Sequence, residues 1–490
     1  MDSRTPVIVG VGTAGGRPPD GSSNPEALEL MVEACRRAGE DAGVADLPAR
    51  AGTVIVPRGT WRYHDAARLV AQRIGAPAAW GVVAEIGVLQ TTLIARAADA
   101  IARGEMDVAV VVGAEARWRE VQAKRSGNDV LDTDDAGGVP DEVWSPDHAI
   151  IADAEAGAGL VDAPSQYSLL ENALRVADGQ TLAEHQRTIA ELWAGFNRIA
   201  RTNPEAWNAQ ALEAEDLEGE RAGRLLAFPY HKWHVSQWNV DQAGCVVLCA
   251  AETARQLGVS RDRWVFPHAL AWSDHMIPIS QRAQPHLSPG FEVAGRAALR
   301  LAGVDIADVA HLDLYSCFPI AVRQQARALN ISPDRPLTVT GGMTFAGGPL
   351  NNYTLQSLPA MVQRLRADSG SLGLVTAVSG LMTKQGVSLW GTEPPAEGYR
   401  SAEVGAEVAA VAPTLPLVQR SGEIGTIATY TVLAGADGSP ATGVVVADLA
   451  GGARVVAANR DADLALAMTT EEWCGRSVVL EGATWLPTHL

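Results

Sequence analysis

The sequence predicts a layered α/β protein built from two similar halves, followed by a small all-β unit. Three observations lead there. Short, wholly apolar runs alternate with helical patterns, as in a mostly parallel sheet covered on both faces. The order helix, strand, loop, helix, strand occurs twice. After TEPPAEG (392–398) the composition changes to short strand-forming segments separated by turns.

RTPVIVGVG (4–12) reads as a buried strand. ALELMVEACRRAG (27–39) spaces its apolar residues three and four apart, as one face of a helix does, and GTVIVPRG (52–59) is a second strand. TTLIARAADAIARG (91–104) is a helix ended by Gly104, and DVAVVVGAE (107–115) is the third strand. The pattern returns with FEVAGRAALRLAGV (291–304), HLDLYSC (311–317), LQSLPAMVQRLRA (355–367) and SLGLVTAVSG (371–380). The expected units are a first half at 1–260, a second half at 261–400 and a β domain at 412–490. Residues 118–235 form an insertion in the first half. It mixes Asp/Gly/Pro-rich stretches with amphipathic helices, and an insertion of that length usually caps a site. In the β domain, GTIATYTVLA, TGVVVADLA, ARVVAAN and RSVVLEGATW are the candidate strands. Five or so short strands suit a small barrel, OB-type in the leading reading, with a small sandwich as the alternative.

The chain has 490 residues and a formal net charge of −18, which argues against a nucleic-acid partner because phosphate binding needs a basic face. No run of 18 apolar residues occurs and the start lacks an apolar signal core, so membrane insertion is not expected and a cytoplasmic location is. Cys35, Cys245, Cys249, Cys317 and Cys474 form no C-x-x-C pair and no zinc spacing.

The chain resembles the thiolase superfamily, and within it the actinobacterial thiolase-like proteins with an extra C-terminal domain. The resemblance covers nearly the whole chain. It is carried by RTPVIVGVG, AADAIARGEMDVAVVVGAEA, SQWNVDQAGCVVL, LYSCFPIAV, GGMTFAGGPLNNY and SGLMTKQGVSLWGTEPP, in that order. It implies a thiolase-type duplicated βαβαβ layered fold with a loop insertion, plus a small C-terminal all-β (OB-like) barrel. Thiolases join or split acyl chains on CoA. A cysteine at a helix N-terminus takes the acyl group, a G-H-P histidine activates it, and a second cysteine in a C-x-G loop moves the α-proton. An N-E-A-F or H-D-C-F stretch helps hold the enolate oxygen. That chemistry needs a lowered thiol pKa and preorganised donors.

This sequence departs from the pattern at each point. Gly87 stands where the acyl-accepting cysteine falls, Gly348 where the histidine falls, and Gly380 near the second cysteine. Tyr315 takes the histidine position of H-D-C-F and Ser316 the aspartate, while Cys317 and Phe318 match. The catalytic candidates are therefore Tyr315 as a hydrogen-bond donor or weak acid, Cys317 as a thiol and His275 as a base. Their structural alternatives are strand-end packing, a small buried apolar residue and a satisfied core histidine.

Candidate contacts to a CoA thioester are the Gly87 N–H, the backbone at Gly347, Gly348 and Gly380, and the side chains of Asn351, Asn352, Lys384 and Gln385. The asparagines are equally suited to helix capping, and Lys384 to a solvated surface. His231 and His234 lie three apart with no third ligand pattern, so no metal is expected. With Lys232, Trp233 and Trp238 they suit core packing or the wall of an acyl channel.

Two functions follow from the resemblance. One is binding of acyl-CoA thioesters with non-thiolytic carbon–carbon chemistry of aldol or Claisen type. The other is a non-catalytic acyl-CoA-binding or scaffold protein. Ordinary acetyl-CoA acetyltransferase activity ranks third. No cofactor beyond a CoA thioester, as substrate or ligand, is implied, and both a homo-oligomer and a monomer are compatible.

Overall fold

Strands too apolar to face water on either side build two mixed sheets. The computed structural model describes residues 2–18 and 24–488. The first sheet runs Pro6–Gly15, Asp241–Ala250, Val108–Ala116, Thr53–Pro57, Trp80–Ala84, Glu142–Trp144. Only Asp241–Ala250 is antiparallel to its neighbours. The second sheet runs Val309–Asp313, Leu372–Ser379, Lys384–Gly391, Phe266–Ser273, Arg400–Glu403, and there Lys384–Gly391 is the antiparallel strand. Phe266–Ser273 thus repeats the role of Pro6–Gly15, and Lys384–Gly391 that of Asp241–Ala250.

Between the sheets lie the helices Gln90–Ala102 and Thr354–Ala367. Leu93, Ile94 and Ile101 of one and Leu355, Leu358 and Met361 of the other share a single buried cluster with strands of both sheets. A helix apolar around so much of its surface has to be buried. The approach is close: a Cβ at Gly244, in the antiparallel strand, would stand 1.6 Å from the Leu355 carbonyl oxygen. Helices Ala27–Asp41 and Ala66–Arg73 cover the outer face of the first sheet. Pro289–Ala302, Pro319–Ala328 and the insertion helices Ala163–Ala177 and Leu182–Ala200 contribute to the core beyond the second.

The C-terminal strands close into a five-stranded barrel in the order Arg420–Ala434, Pro440–Asp448, Arg454–Asn459, Thr484–Pro487, Ser477–Gly482 and back to the first. The helix Ala462–Thr470 connects its third and fourth strands in chain order. The barrel is tied to the insertion. Leu433 pairs with Ala227, the Asn172 amide donates to the Tyr430 carbonyl at 2.9 Å, and the Thr429 hydroxyl donates to the Leu169 carbonyl at 2.6 Å. From the other side, buried Arg454 donates to the carbonyl oxygens of Ser280, Arg282 and Ala283.

Two details differ from the sequence reading. The stretch between the second half and the β domain, to which no element was assigned, holds a strand, Arg400–Glu403, and a helix, Gly405–Val411. The strand adds in parallel to the sheet edge at Phe266–Ser273, where backbone bonds suffice and no apolar alternation is needed. RSVVLEGATW is two strands, because Gly482 turns the chain at φ +66°. Among the described residues no helix is long and apolar enough to cross a membrane.

Candidate functional site

The turn Glu85–Leu89 leads into the middle-layer helix Gln90–Ala102. Gly87 holds φ +103°, a conformation that favours glycine. A Cβ there would lie 3.0 Å from Pro146 Cγ and 3.6 Å from Ile150 Cδ1, both from the insertion. The Lys384 ammonium, buried at 5% exposure, donates to the Gly87 carbonyl at 3.2 Å and stands 3.9 Å from Asp274 Oδ1. Lys384 is therefore a buried clamp on this turn and not a surface charge.

The loop Gly341–Tyr353 leads into the other middle helix. Its glycines differ in kind. Gly347 is left-handed at φ +106°, and a Cβ there would meet Gln242 Oε1 at 2.1 Å. Gly348 lies outside the left-handed region, but a Cβ would stand 2.0 Å from Ser236 Oγ and 3.1 Å from the Met343 side chain. The segment after the insertion thus occupies the space where a side chain would project. The asparagines join the halves. Asn351 Oδ1 accepts from Gln90 Nε2 at 3.1 Å, and Asn352 Nδ2 donates to the Gly113 carbonyl at 2.9 Å.

Gly380 opens the hairpin between Leu372–Ser379 and Lys384–Gly391. Gly380, Leu381 and Met382 have φ of +59°, +57° and +66°. Two consecutive non-glycine residues in the left-handed region are strained and need outside support. They receive it from Thr383 Oγ1 on the Gly380 carbonyl (2.5 Å), Arg282 on the Leu381 carbonyl (2.6 Å) and Gln385 Nε2 on the Met382 carbonyl (2.7 Å). A Cβ at Gly380 would meet Met276 Sδ and Thr383 Oγ1, each at 2.7 Å.

Tyr315 and Cys317 follow the strand Val309–Asp313, and both are 7% exposed. The Tyr315 backbone is fixed by Thr376 Oγ1 (2.8 Å) and Gln325 Nε2 (2.7 Å), and its ring meets Tyr353 edge-on at 5.6 Å. Its hydroxyl has no hydrogen-bond partner among the described residues, and burial raises its pKa, so it stays a proton donor. Burial pushes the Cys317 thiol up to about 12 despite a hydrogen bond with Tyr167. That thiol is not a thiolate at neutral pH. Phe318 stacks on Tyr167 at 4.3 Å.

His275 is half-buried and lines a small cavity with Arg282, Ser288, Thr383 and Gln385. Burial, then His148, lower its pKa. The ring nitrogens of His231 and His234 bond the Gly223 and Leu217 carbonyls at 2.8 and 2.7 Å, a structural use of both. The structure therefore gathers Gly87, Lys384, Gly380 and Gln385 around the strand and hairpin at Lys384. It places Gly347, Gly348, Asn351 and Asn352 in the loop over the first sheet. Sequence reasoning missed the roles of Ser236, Arg282 and Tyr167, which reach these positions only through tertiary contact.

One buried carboxyl borders this region. Glu115 ends the strand Val108–Ala116. Burial pushes its pKa up to about 7, although Thr60 bonds it through both N–H (3.0 Å) and hydroxyl (2.6 Å). A raised carboxyl pKa stabilises the fold below the unfolded value and loses that contribution as pH rises through about 7. Glu115→Gln should therefore gain about 3 kcal/mol on the wild type between pH 4 and pH 8. Urea unfolding at the two pH values checks this, and parallel curves would contradict it.

Two stacked sheets, each with one internal antiparallel strand, and two buried helices between them define a thiolase-type fold. The comparisons agree. Residues 403–482 match the thiolase-like protein type 1 additional C-terminal domain. The crystal structure of a monomeric SCP2-thiolase-like protein type 1 from Mycobacterium smegmatis matches over 100% of both chains, with a TM-score of 0.83 and 30% identity. The Ltp2-ChsH2(DUF35) aldolase matches over 80% of this chain and 98% of that one (TM-score 0.61, 19% identity). An acetyl-CoA acetyltransferase from Syntrophomonas wolfei matches over 79% and 99% (TM-score 0.57, 17% identity). No curated protein matches the chain. The chain belongs to the thiolase superfamily, among the thiolase-like proteins that carry an additional C-terminal domain.

Proposed function

We propose that this protein binds an acyl-CoA thioester non-covalently and performs no cysteine chemistry on it. One observation carries the reading. The resemblance aligns Gly87 and Gly348 with the acyl-accepting cysteine and the histidine of thiolases and puts Gly380 near the second cysteine, and the space beyond each glycine is taken by other side chains: Pro146, Ser236, and Met276 with Thr383. Cys317, the nearest thiol to the expected site, is held protonated by burial. What supports ligand binding is the backbone still shaped by Gly87 and Gly347 and the Tyr315 hydroxyl, a donor without a partner.

That hydroxyl also favours a second reading, an aldol- or Claisen-type step in which Tyr315 donates to an enolate oxygen. The fold likeness to an aldolase is compatible with it. Among the described residues no carboxylate or imidazole hydrogen-bonds Tyr315 to serve as base, so binding ranks first. We read the barrel, with strand order 1-2-3-5-4-1 and a helix between its third and fourth strands, as OB-type. We read the protein as a monomer, because the strand Trp80–Ala84 is covered by Glu142–Trp144 and is not a free edge.

Calorimetric titration with acetyl-CoA, a long-chain acyl-CoA and free CoA tests the proposal. Both thioesters should bind saturably and more tightly than CoA, and Tyr315→Phe should weaken them about fivefold, the value of one hydrogen bond. Absence of saturable heat with every ligand contradicts it. Consumption of a 3-hydroxyacyl thioester that Tyr315→Phe abolishes would promote the second reading.

A further inference from the structure

Leu381 and Met382 keep their left-handed backbone through three hydrogen bonds, and only the one from Arg282 comes from outside the hairpin. Arg282 lies in the loop that follows the strand Phe266–Ser273, so its guanidinium is placed by whatever holds that loop. Four successive carbonyls of the loop accept from the C-terminal part of the chain. Buried Arg454, at 2% exposure, donates to Ser280 at 3.3 Å, to Arg282, and to Ala283 at 3.1 Å. The Leu415 N–H donates to Gln281 at 2.8 Å, and the Ala283 N–H returns a bond to the Pro413 carbonyl at 3.1 Å.

Arg454 is fixed from the barrel side as well, since its Nε donates to Asp448 Oδ1 at 2.5 Å. A guanidinium presents a planar fork of donors and serves several acceptors at once, which one ammonium cannot do. The loop also meets the insertion. Glu155 Oε1 accepts from the Ser280 N–H at 2.7 Å, and its charge acts on Arg282.

We propose that Arg454 is a positioning residue for the hairpin at 380–383, acting through the backbone of 280–283 to set Arg282 on the Leu381 carbonyl, and, resting on the thioester reading, that the additional C-terminal barrel thereby shapes the ligand site. Without Arg454 the carbonyls of Ser280, Arg282 and Ala283 lose its donors. The loop relaxes, Arg282 withdraws, and the strained backbone at Leu381 and Met382 is left to its own side chains. Lys384 and Gln385 follow directly in the chain, and Lys384 carries the change to the Gly87 carbonyl.

Hydrogen exchange of the full chain, read by mass spectrometry, compares the wild type with Arg454→Met, Arg454→Lys and Thr429→Val. The last is the control, because it removes the barrel's bond to the Leu169 carbonyl on the insertion side and touches none of the contacts above. In Arg454→Met, peptides from 372–391 should exchange about tenfold faster, while those from 341–353 keep their rate. Arg454→Lys should fall between, and Thr429→Val should leave both regions unchanged. Wild-type exchange at the hairpin of a folded Arg454→Met overturns the proposal. So does equal acceleration in both regions, or the same acceleration in Thr429→Val. If Arg454→Met does not fold, Arg454→Lys decides by the same criteria. Calorimetry with acetyl-CoA separates this idea from the thioester reading. Arg454→Met should weaken binding about fivefold, as for one displaced hydrogen bond, and Thr429→Val should not weaken it. No binding to the wild type contradicts the thioester reading, and the exchange rates alone then decide the hairpin. Wild-type affinity in a variant whose hairpin exchanges faster overturns the barrel's part in the ligand site.

Discussion

Replacing Gly348 by histidine is expected to lower stability by about 3 kcal/mol and to bring no thiolytic activity. The side chain would project into Ser236 Oγ, which stands 2.0 Å from a Cβ at that position. Ser236 has little freedom to withdraw. Its N–H bonds the Cys317 carbonyl at 3.0 Å, and the next residue, Gln237, bonds Met343 and Gly348 through its backbone at 3.0 and 2.9 Å. Ring atoms beyond the Cβ would then displace Met343 as well. The substitution restores the residue type of the thiolase loop, but the loop's surroundings were rebuilt around its absence. A double-mutant cycle isolates the cause. Gly348→Ala should cost less when Ser236 is also changed to glycine, because the clash is then gone. Equal urea midpoints for Gly348→His and the wild type would mean that the segment after the insertion yields freely.

Glu171→Ala should destabilise the protein by about 3–5 kcal/mol. Glu171 is fully buried where two insertion helices meet the helix Pro319–Ala328. It accepts from the Tyr230 hydroxyl at 2.6 Å and from Arg323 at 2.7 Å, and His185 Nε2 stands 3.1 Å away. Alanine removes the acceptor beside the Tyr230 hydroxyl and His185 Nε2 in the core, while His185 Nδ1 keeps Gln180 at 3.0 Å and Arg323 keeps Asp178 at 2.8 Å. Burial alone would raise the Glu171 pKa, but the hydrogen bond and charge of His185, the charge of Arg323 and the Tyr230 bond outweigh it and hold it at about 2. A lowered carboxyl pKa stabilises the fold above the unfolded value near 4.3 and loses that contribution as pH falls towards about 2. Acid unfolding of Glu171→Gln should therefore show a weaker pH dependence than the wild type below pH 4. An alanine variant within 1 kcal/mol of the wild type would show the cluster to be dispensable.

Most of the layered fold was legible because burial on both faces forces continuous apolar runs, and because the helix end at Gly104 requires the left-handed conformation that glycine supplies. The strands that escaped notice lack that pressure. Glu142–Trp144 sits in an Asp/Gly/Pro-rich stretch, and Arg400–Glu403 is polar, because both lie at sheet edges where main-chain bonds do the pairing. Gly87, Gly348 and Gly380 were singled out by their order along the chain. What fills the space beside them was not legible, since Ser236, Pro146 and Met276 come from other segments and bear no spacing relation to the glycines. The environment of Lys384 was equally hidden. A lysine read as a surface alternative is buried on the Gly87 carbonyl because its strand faces the turn before the first middle helix. The paired left-handed residues Leu381 and Met382 have no composition that announces them, and they persist through Arg282, Gln385 and Thr383.

Non-covalent binding of an acyl-CoA thioester, as proposed, leaves no acyl-enzyme. After incubation with acetyl-CoA, intact-mass spectrometry should show an unchanged mass, since Gly87 offers no thiol and the Cys317 thiol is kept protonated by burial. A stoichiometric gain of one acetyl group that maps to Cys317 would contradict it.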